Sequence, residues 1–384
     1  MTLQQRIAAL GPKKLLALDG GGIRGALTIE ILADIEMKLQ ESRKLCRKLA
    51  PGAKFVLADY FDYVAGTSTG AIIATCISWG MTVAEIRSFY ELNGESMFDR
   101  ASFLKRISQY KYDDEALANT LRRVFVDDNG ELAKLGSTRL KTLLMMVMRN
   151  ASTDSPWWVS NNPEAKYNKP ERRESKKGCN LDVPLWQLVR ASTAAPVFFP
   201  PEHVLFGDKV FEFVDGGITP HNNPAFQLFI MATHEAYNLR WPSGDDKMLL
   251  VSIGTGSSPD TDVGFFGKNY GYQATHLPSH LMYGVLNEQD MLCRVFGKCL
   301  AGQELDREVG TMIGTAGPIN PKLFTYMRYN ATLTRAGLDE LGLHDISPEN
   351  VGKLDSVESV GDLQRIGSAV AEQNVNIGDF NGFV

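Results

Sequence analysis

Three short stretches of this 384-residue chain hold residue types that could do chemistry. In Gly66-Thr67-Ser68-Thr69-Gly70, a serine is flanked by glycines two positions away on either side. A sharp strand-to-helix turn would project its hydroxyl as a nucleophile, with the positive end of a helix behind it. Gly66 and Gly70 would form the elbow; the same five residues also read as a plain turn of small residues. Asp19-Gly20-Gly21-Gly22-Ile23-Arg24-Gly25 supports two chemistries. Gly20, Gly22 and Gly25 satisfy G-x-G-x-x-G, a dinucleotide-binding pattern. Alternatively, the uncovered N–H groups of Gly20, Gly21 and Gly22 form an oxyanion hole, with Arg24 holding the loop or neutralising an anionic substrate. The dinucleotide reading needs an acidic residue ending a second strand about twenty residues on, whereas the stretch that follows is helical and basic from Lys38 to Lys48. In the third stretch, Asp215 ends an apolar run and precedes Gly216 and Gly217. That placement suits a catalytic carboxylate on a base turn, and equally an Asp that caps a turn.

The elements that must position these residues follow from periodicity. Lys13–Leu18 is a short apolar run stopped by glycines, and Leu27, Ile29, Ile31, Leu32, Ile35 and Leu39 then recur at helical spacing. The same grammar repeats, with a strand over Tyr60–Ala65 and a helix over Ala71–Trp79. Thr82 with Glu85 is a capping box for a further helix, and Leu117, Leu121 and Val124 mark another. Further strands are expected at Val210–Val214 and Met248–Ile253, and Leu140–Met148 reads as a buried strand or, at that length, a helix. Alternating strands and helices predict an α/β fold with a mostly parallel central sheet covered by helices in three layers, as one domain over 1–384. Glu164–Lys177 holds six Lys/Arg against three Asp/Glu, with prolines at 163 and 170, and is expected as an exposed excursion. Gly254–Tyr272 is a second loop candidate. The aromatic stretch Phe265, Phe266, Tyr270, Tyr272, Leu277, Leu281, Met282 and Tyr283 reads as a core helix and its lead-in or as a lipid-dipping surface, and Trp157-Trp158 shares that ambiguity.

Composition narrows the function classes. With 44% apolar and 22% charged residues the chain has the balance of a globular protein with a large core. A net charge of −5 gives no general attraction for nucleic acid. The five cysteines form no metal-spaced pair, which points to a reducing, cytoplasmic compartment and to no metal cofactor. No window reaches the roughly 20 apolar residues of a spanning helix, and the first residues lack the pattern of a signal peptide.

In order along the chain, Asp-Gly-Gly-Gly-Ile-Arg-Gly at 19–25, Gly-Thr-Ser-Thr-Gly at 66–70 and Asp-Gly-Gly at 215–217 resemble the patatin-like phospholipase family. Arg190–Pro200, Asn222-Asn223-Pro224 and Ser252–Gly256 resemble its intervening and later segments. The match spans about residues 13–256, and no motif is assigned beyond it. The resemblance implies a serine lipid acyl hydrolase without a catalytic histidine or a cofactor. Ser68 would be the nucleophile, Asp215 its general base, and Gly20–Gly22 the oxyanion donors, supported by Arg24. Substrates would be phospholipids or lysophospholipids reached by peripheral contact with a membrane surface, and catalysis would be calcium-independent. Some bacterial relatives are nucleotide-activated, membrane-degrading effectors, so a small-molecule activator or a homo-oligomer is a second expectation. A Ser-His-Asp hydrolase is a third, because His221, His234, His276, His280 and His344 all follow Asp215.

Overall fold

The computed structural model describes residues 1–45, 52, 54–98, 115–174, 177–196, 199–258 and 270–384. Among the described residues nine strands form one sheet: β1 (Lys13–Leu18), β2 (Tyr63–Thr67), β3 (Leu143–Asn150), β4 (Ser155–Ser160), β5 (Glu202–Phe206), β6 (Lys209–Asp215), β7 (Met248–Ile253), β8 (Lys298–Ala301) and β9 (Thr325–Tyr329). The hydrogen-bonded path through it runs β5-β6-β3-β2-β1-β7-β9-β8, with β4 also on β3. The pairs β1–β2, β1–β7, β2–β3, β7–β9 and β8–β9 are parallel, while β3–β4, β3–β6 and β5–β6 are antiparallel. The mostly parallel sheet expected from the strand–helix alternation is therefore present.

Helices cover both faces, which is why the central strands are apolar throughout instead of alternating. Leu16 and Leu18 of β1 join one core with Val64, Met146 and Val251. That core lies under α1 (Gly25–Leu45), α2 (Thr69–Trp79), α3 (Val83–Phe98), α4 (Glu115–Val124), α5 (Leu185–Ser192) and α8 (Val360–Asn374). Leu15 and Ala17, one residue out of phase, join a second core with Ala65, Met145 and Leu250. Leu228 and Phe229 of α6 (Ala225–Thr233) and Cys293 of α7 (Tyr270–Phe296) cover it.

Several expectations shift. The strand expected from Tyr60 begins at Tyr63, because Leu57–Asp59 winds into a 3-10 turn and the Asp62 carboxylate takes the Lys14 N–H. Likewise β3 begins at Leu143 instead of Leu140. Part of the region before the basic excursion is the strand β4. Its Trp157 stacks on Phe206 at a centroid distance of 5.5 Å, and Trp158 packs against the second core. The basic stretch itself is largely exposed, although Asn168 is buried and donates to the carbonyls of Ser160 and Asn162. Of the aromatic stretch, Phe265 and Phe266 and the side chains of Tyr270, Tyr272 and Leu277 lie outside the described residues. Leu281 is exposed, and Met282 and Tyr283 are half-buried. Among the described residues no helix is long and apolar enough to cross a membrane.

Candidate active site

The sheet topology brings two distant residues together. On β3, β4 pairs with Met145–Asn150, β2 with Leu143–Val147 and β6 with Met148–Asn150. A strand has two flanks, and β4 overlaps both other partners. So β2 and β6 must share the opposite flank, one after the other and running toward each other. Thr67, the last residue of β2, is level with Val147, and Asp215, the last of β6, is level with Met148. The residue after Thr67 is Ser68. Its hydroxyl donates to Asp215 Oδ2 at 2.6 Å.

The local conformation presents that hydroxyl. Ser68 has φ 54° and ψ −124°, a backbone state that an L-residue adopts only when its surroundings enforce it. It is the N-cap of α2, yet its side chain makes no capping bond and is left for Asp215. The tightness of the turn explains its glycines: a Cβ on Gly66 would strike the Gly70 backbone, and one on Gly70 would strike the Leu18 carbonyl. The Ser68 N–H donates to Ser192 Oγ at 3.0 Å, and Ser192 Oγ donates to the Val147 carbonyl at 2.6 Å. Ser68 itself is half-buried while its neighbours in β2 and α2 are buried.

Asp215 is buried, and its Oδ1 accepts the Gly217 N–H at 2.6 Å. Burial pushes its carboxyl up to about 6; the hydrogen bonds from Ser68 and Gly217 and the charge of Arg190 pull the other way without cancelling it. The base turn is packed closely, since a Cβ on Gly216 would meet the Val147 carbonyl.

The glycine loop lies alongside. A Cβ on Gly20 would fall 3.2 Å from Ser68 Cβ. The Gly20 N–H is committed to the Asn222 carbonyl at 3.1 Å, and its own carbonyl accepts from Thr255 Oγ1 at 2.9 Å. The expected three-glycine donor set thereby narrows, for the Gly21 and Gly22 N–H groups have no protein acceptor among the described residues. Gly22 has φ 59°, which favours glycine. Arg24 is buried, its guanidinium 3.5 Å from the Gly352 carbonyl, and the neighbouring Ile23 N–H donates to Leu354. Arg24 thus faces the C-terminal segment. Desolvation lowers it to about 10, so it stays cationic at neutral pH.

Arg328, on β9, had no sequence signal. It donates to Asp19 Oδ1 at 2.9 Å and Oδ2 at 2.5 Å and to Ser252 Oγ at 2.7 Å, all in the buried interior. Asp19 is therefore anchored where the glycine loop leaves β1. Ser192, Asn222 and Thr255 fall within stretches that resembled the family, but nothing in their types announced that they hold backbone groups of the site.

No described histidine bridges Ser68 and Asp215. His221 contributes its backbone carbonyl to Thr67 Oγ1, and burial depresses its ring to about 4, so the ring is neutral. The His234 ring accepts the Ala236 N–H, and His344 pairs with Asp339. The side chains of His276 and His280 lie outside the described residues. Among the described residues no three His, Cys, Asp or Glu side chains cluster to hold a metal ion.

Fold and site together define an α/β protein with a serine on a strained strand–helix turn, in direct contact with a buried carboxylate. The family model described as "Patatin-like phospholipase" matches residues 16–229, and the chain belongs to that family. Patatin-17 of Solanum cardiophyllum is 30% identical over 285 residues, covering 70% of this chain and 67% of its own. Patatin group J-1 of Solanum tuberosum is 29% identical over 268 residues, covering 65% of this chain and 62% of its own. The chain thus spans about two thirds of the length of these relatives. The crystal structure of VipD from Legionella pneumophila superimposes with a TM-score of 0.41 at 15% identity, over 95% of this chain and 67% of that one.

Proposed function

We propose that the protein is a lipid acyl hydrolase that cleaves fatty-acyl esters of phospholipids or lysophospholipids through an acyl-enzyme on Ser68. The observation that carries this reading is the 2.6 Å hydrogen bond from the hydroxyl of a strained turn serine to a buried carboxylate. Membership of the family described as "Patatin-like phospholipase" supports the substrate class. Asp215 Oδ2 takes the Ser68 proton as Oγ attacks the ester carbonyl. The tetrahedral oxyanion is met by the N–H groups of Gly21 and Gly22, and the N-terminal end of α2 adds positive potential. Collapse expels the alcohol, which takes the proton back from Asp215. Water then attacks the acyl-serine, gives a proton to Asp215, and the fatty acid leaves as Ser68 regains its hydrogen.

The direct Ser–Asp contact favours a dyad over a Ser-His-Asp arrangement, in which an imidazole would stand between the two. The test is fatty-acid release from mixed phospholipid vesicles, and turnover of a soluble short-chain ester, by wild type, Ser68→Ala and Asp215→Ala. The expected result is turnover of both substrates by wild type and at least about a hundredfold loss in each folded variant. Full activity in Ser68→Ala would end the assignment.

A further inference from the structure

The helix α3 brings a polar group to the nucleophile turn from outside the three glycine stretches. Its residues Val83, Ile86, Phe89 and Tyr90 recur at three- and four-residue spacing and are buried in the core. An ion pair locks α3 to α1: Arg87 Nε donates to Glu30 Oε1 at 2.7 Å and Nη2 to Oε2 at 2.5 Å. Because α1 starts at Gly25, the last residue of the glycine stretch, α3 is fixed relative to that loop.

Tyr90 follows Arg87 by about one helical turn. Its hydroxyl donates to the Thr69 carbonyl at 3.1 Å and lies 2.5 Å from Thr69 Oγ1. A phenol has one hydrogen, so with that donation made the Thr69 hydroxyl donates in return. Both side chains are buried, and burial pushes the Tyr90 phenol well up, so it keeps its proton through any ordinary assay range. The glycine loop meets the same spot. A Cβ on Gly25 would fall 2.6 Å from Thr69 Oγ1 and 3.2 Å from Tyr90 Cε1.

Thr69 is the residue after Ser68, so whatever fixes Thr69 also fixes the peptide that sets the Ser68 ψ of −124°. A strained state of this kind persists only when its surroundings restrain it. Ser192 holds the N–H side of Ser68. On the other side the Tyr90 hydroxyl holds both the carbonyl and the side chain of Thr69.

We infer that Tyr90 is a positioning residue for the reaction: through Thr69 it keeps the Ser68 hydroxyl aligned with Asp215 Oδ2 and beside the glycine-loop N–H groups. A misplacement of about 1 Å between reacting groups can cost on the order of a hundredfold in rate. Loosening this tie therefore slows the chemistry and leaves substrate binding alone. The inference rests on Ser68 as the nucleophile.

The test is Tyr90→Phe, which removes one oxygen and keeps the ring. kcat and KM on a soluble short-chain ester are measured per active site, the sites being counted by complete labelling with an organofluorophosphonate, with thermal melts alongside. kcat per labelled site should fall at least about tenfold with KM changed less than about twofold. The pH midpoint near 6 should stay where Asp215 sets it. A role in stability alone would lower the melting temperature and the number of labelled sites but leave kcat per site at the native value, and that result would overturn the inference. So would a loss confined to KM, or a displaced midpoint. If Tyr90→Phe does not fold, Thr69→Val carries the test: it removes one of the two bonds and should lower kcat per site at least about threefold, and a native kcat there would equally overturn the inference. A native chain that neither turns over the ester nor takes the label on Ser68 would end the hydrolase reading and this inference with it. Native turnover together with undiminished kcat in Tyr90→Phe would end the inference alone.

Discussion

At the scale of single residues, the proposed reaction turns on one proton shared between Ser68 and Asp215. A base must be ionised to accept it, and burial holds Asp215 at about 6. kcat/KM should therefore fall tenfold per pH unit below about pH 6 and level off above it; a profile flat down to pH 4.5 would contradict the role. The same shift bears on stability with a definite sign. The folded state holds this proton more tightly than an unfolded chain, in which the carboxyl keeps its ordinary value of 3.8. The group's contribution is therefore fully present below about pH 4 and lost as pH rises through about 6, where burying the charge costs about 3 kcal/mol. Asp215→Asn should raise the melting temperature at pH 8, change it little at pH 4, and abolish activity. That exchange of stability for function is expected where a charge is buried to do chemistry. Calorimetry at the two pH values checks it.

Between elements, the site depends on ties that single motifs do not reveal. Ser192, at the end of α5, joins the Ser68 N–H to the Val147 carbonyl. Ser192→Ala would strand both backbone groups. It should cost about 1–3 kcal/mol of stability and lower kcat more than KM is raised, because the turn loses its hold. Thermal melts and steady-state kinetics on a soluble ester report the two effects. What was legible here was the chemistry: a serine, an aspartate and glycines at turns, each after an apolar run. The end-to-end meeting of β2 and β6 was not, because it arises from hydrogen bonding to β3 across long sequence separations. The start of β2 was misplaced for a similar reason, since Tyr60 and Phe61 are as apolar as strand residues but are wound by the Leu57 turn.

For the whole molecule, the C-terminal third carried no recognisable motif yet reaches the site. β9 lies beside β7, α8 packs along α1, and Arg328 pairs with Asp19 at the root of the glycine loop. β9 was missed because its five residues, Thr325–Tyr329, include an arginine, a residue out of place in a buried strand until its distant partner is known. Arg328→Met should destabilise the fold by about 3–5 kcal/mol by leaving the Asp19 carboxylate buried and uncompensated. Adding Asp19→Asn should restore much of that loss, and chemical denaturation of the three variants measures the coupling. Deletion of residues 357–384 should uncover the apolar side of α1 that meets Leu363, Ile366 and Val370, and yield aggregated protein.

The most direct test of the Ser68–Asp215 account is covalent labelling with an organofluorophosphonate, followed by intact mass and peptide mapping. The account predicts a single adduct on Ser68, none in Ser68→Ala, and labelling at least about a hundredfold slower in Asp215→Asn. An adduct on another serine, or an undiminished rate in Asp215→Asn, would contradict it.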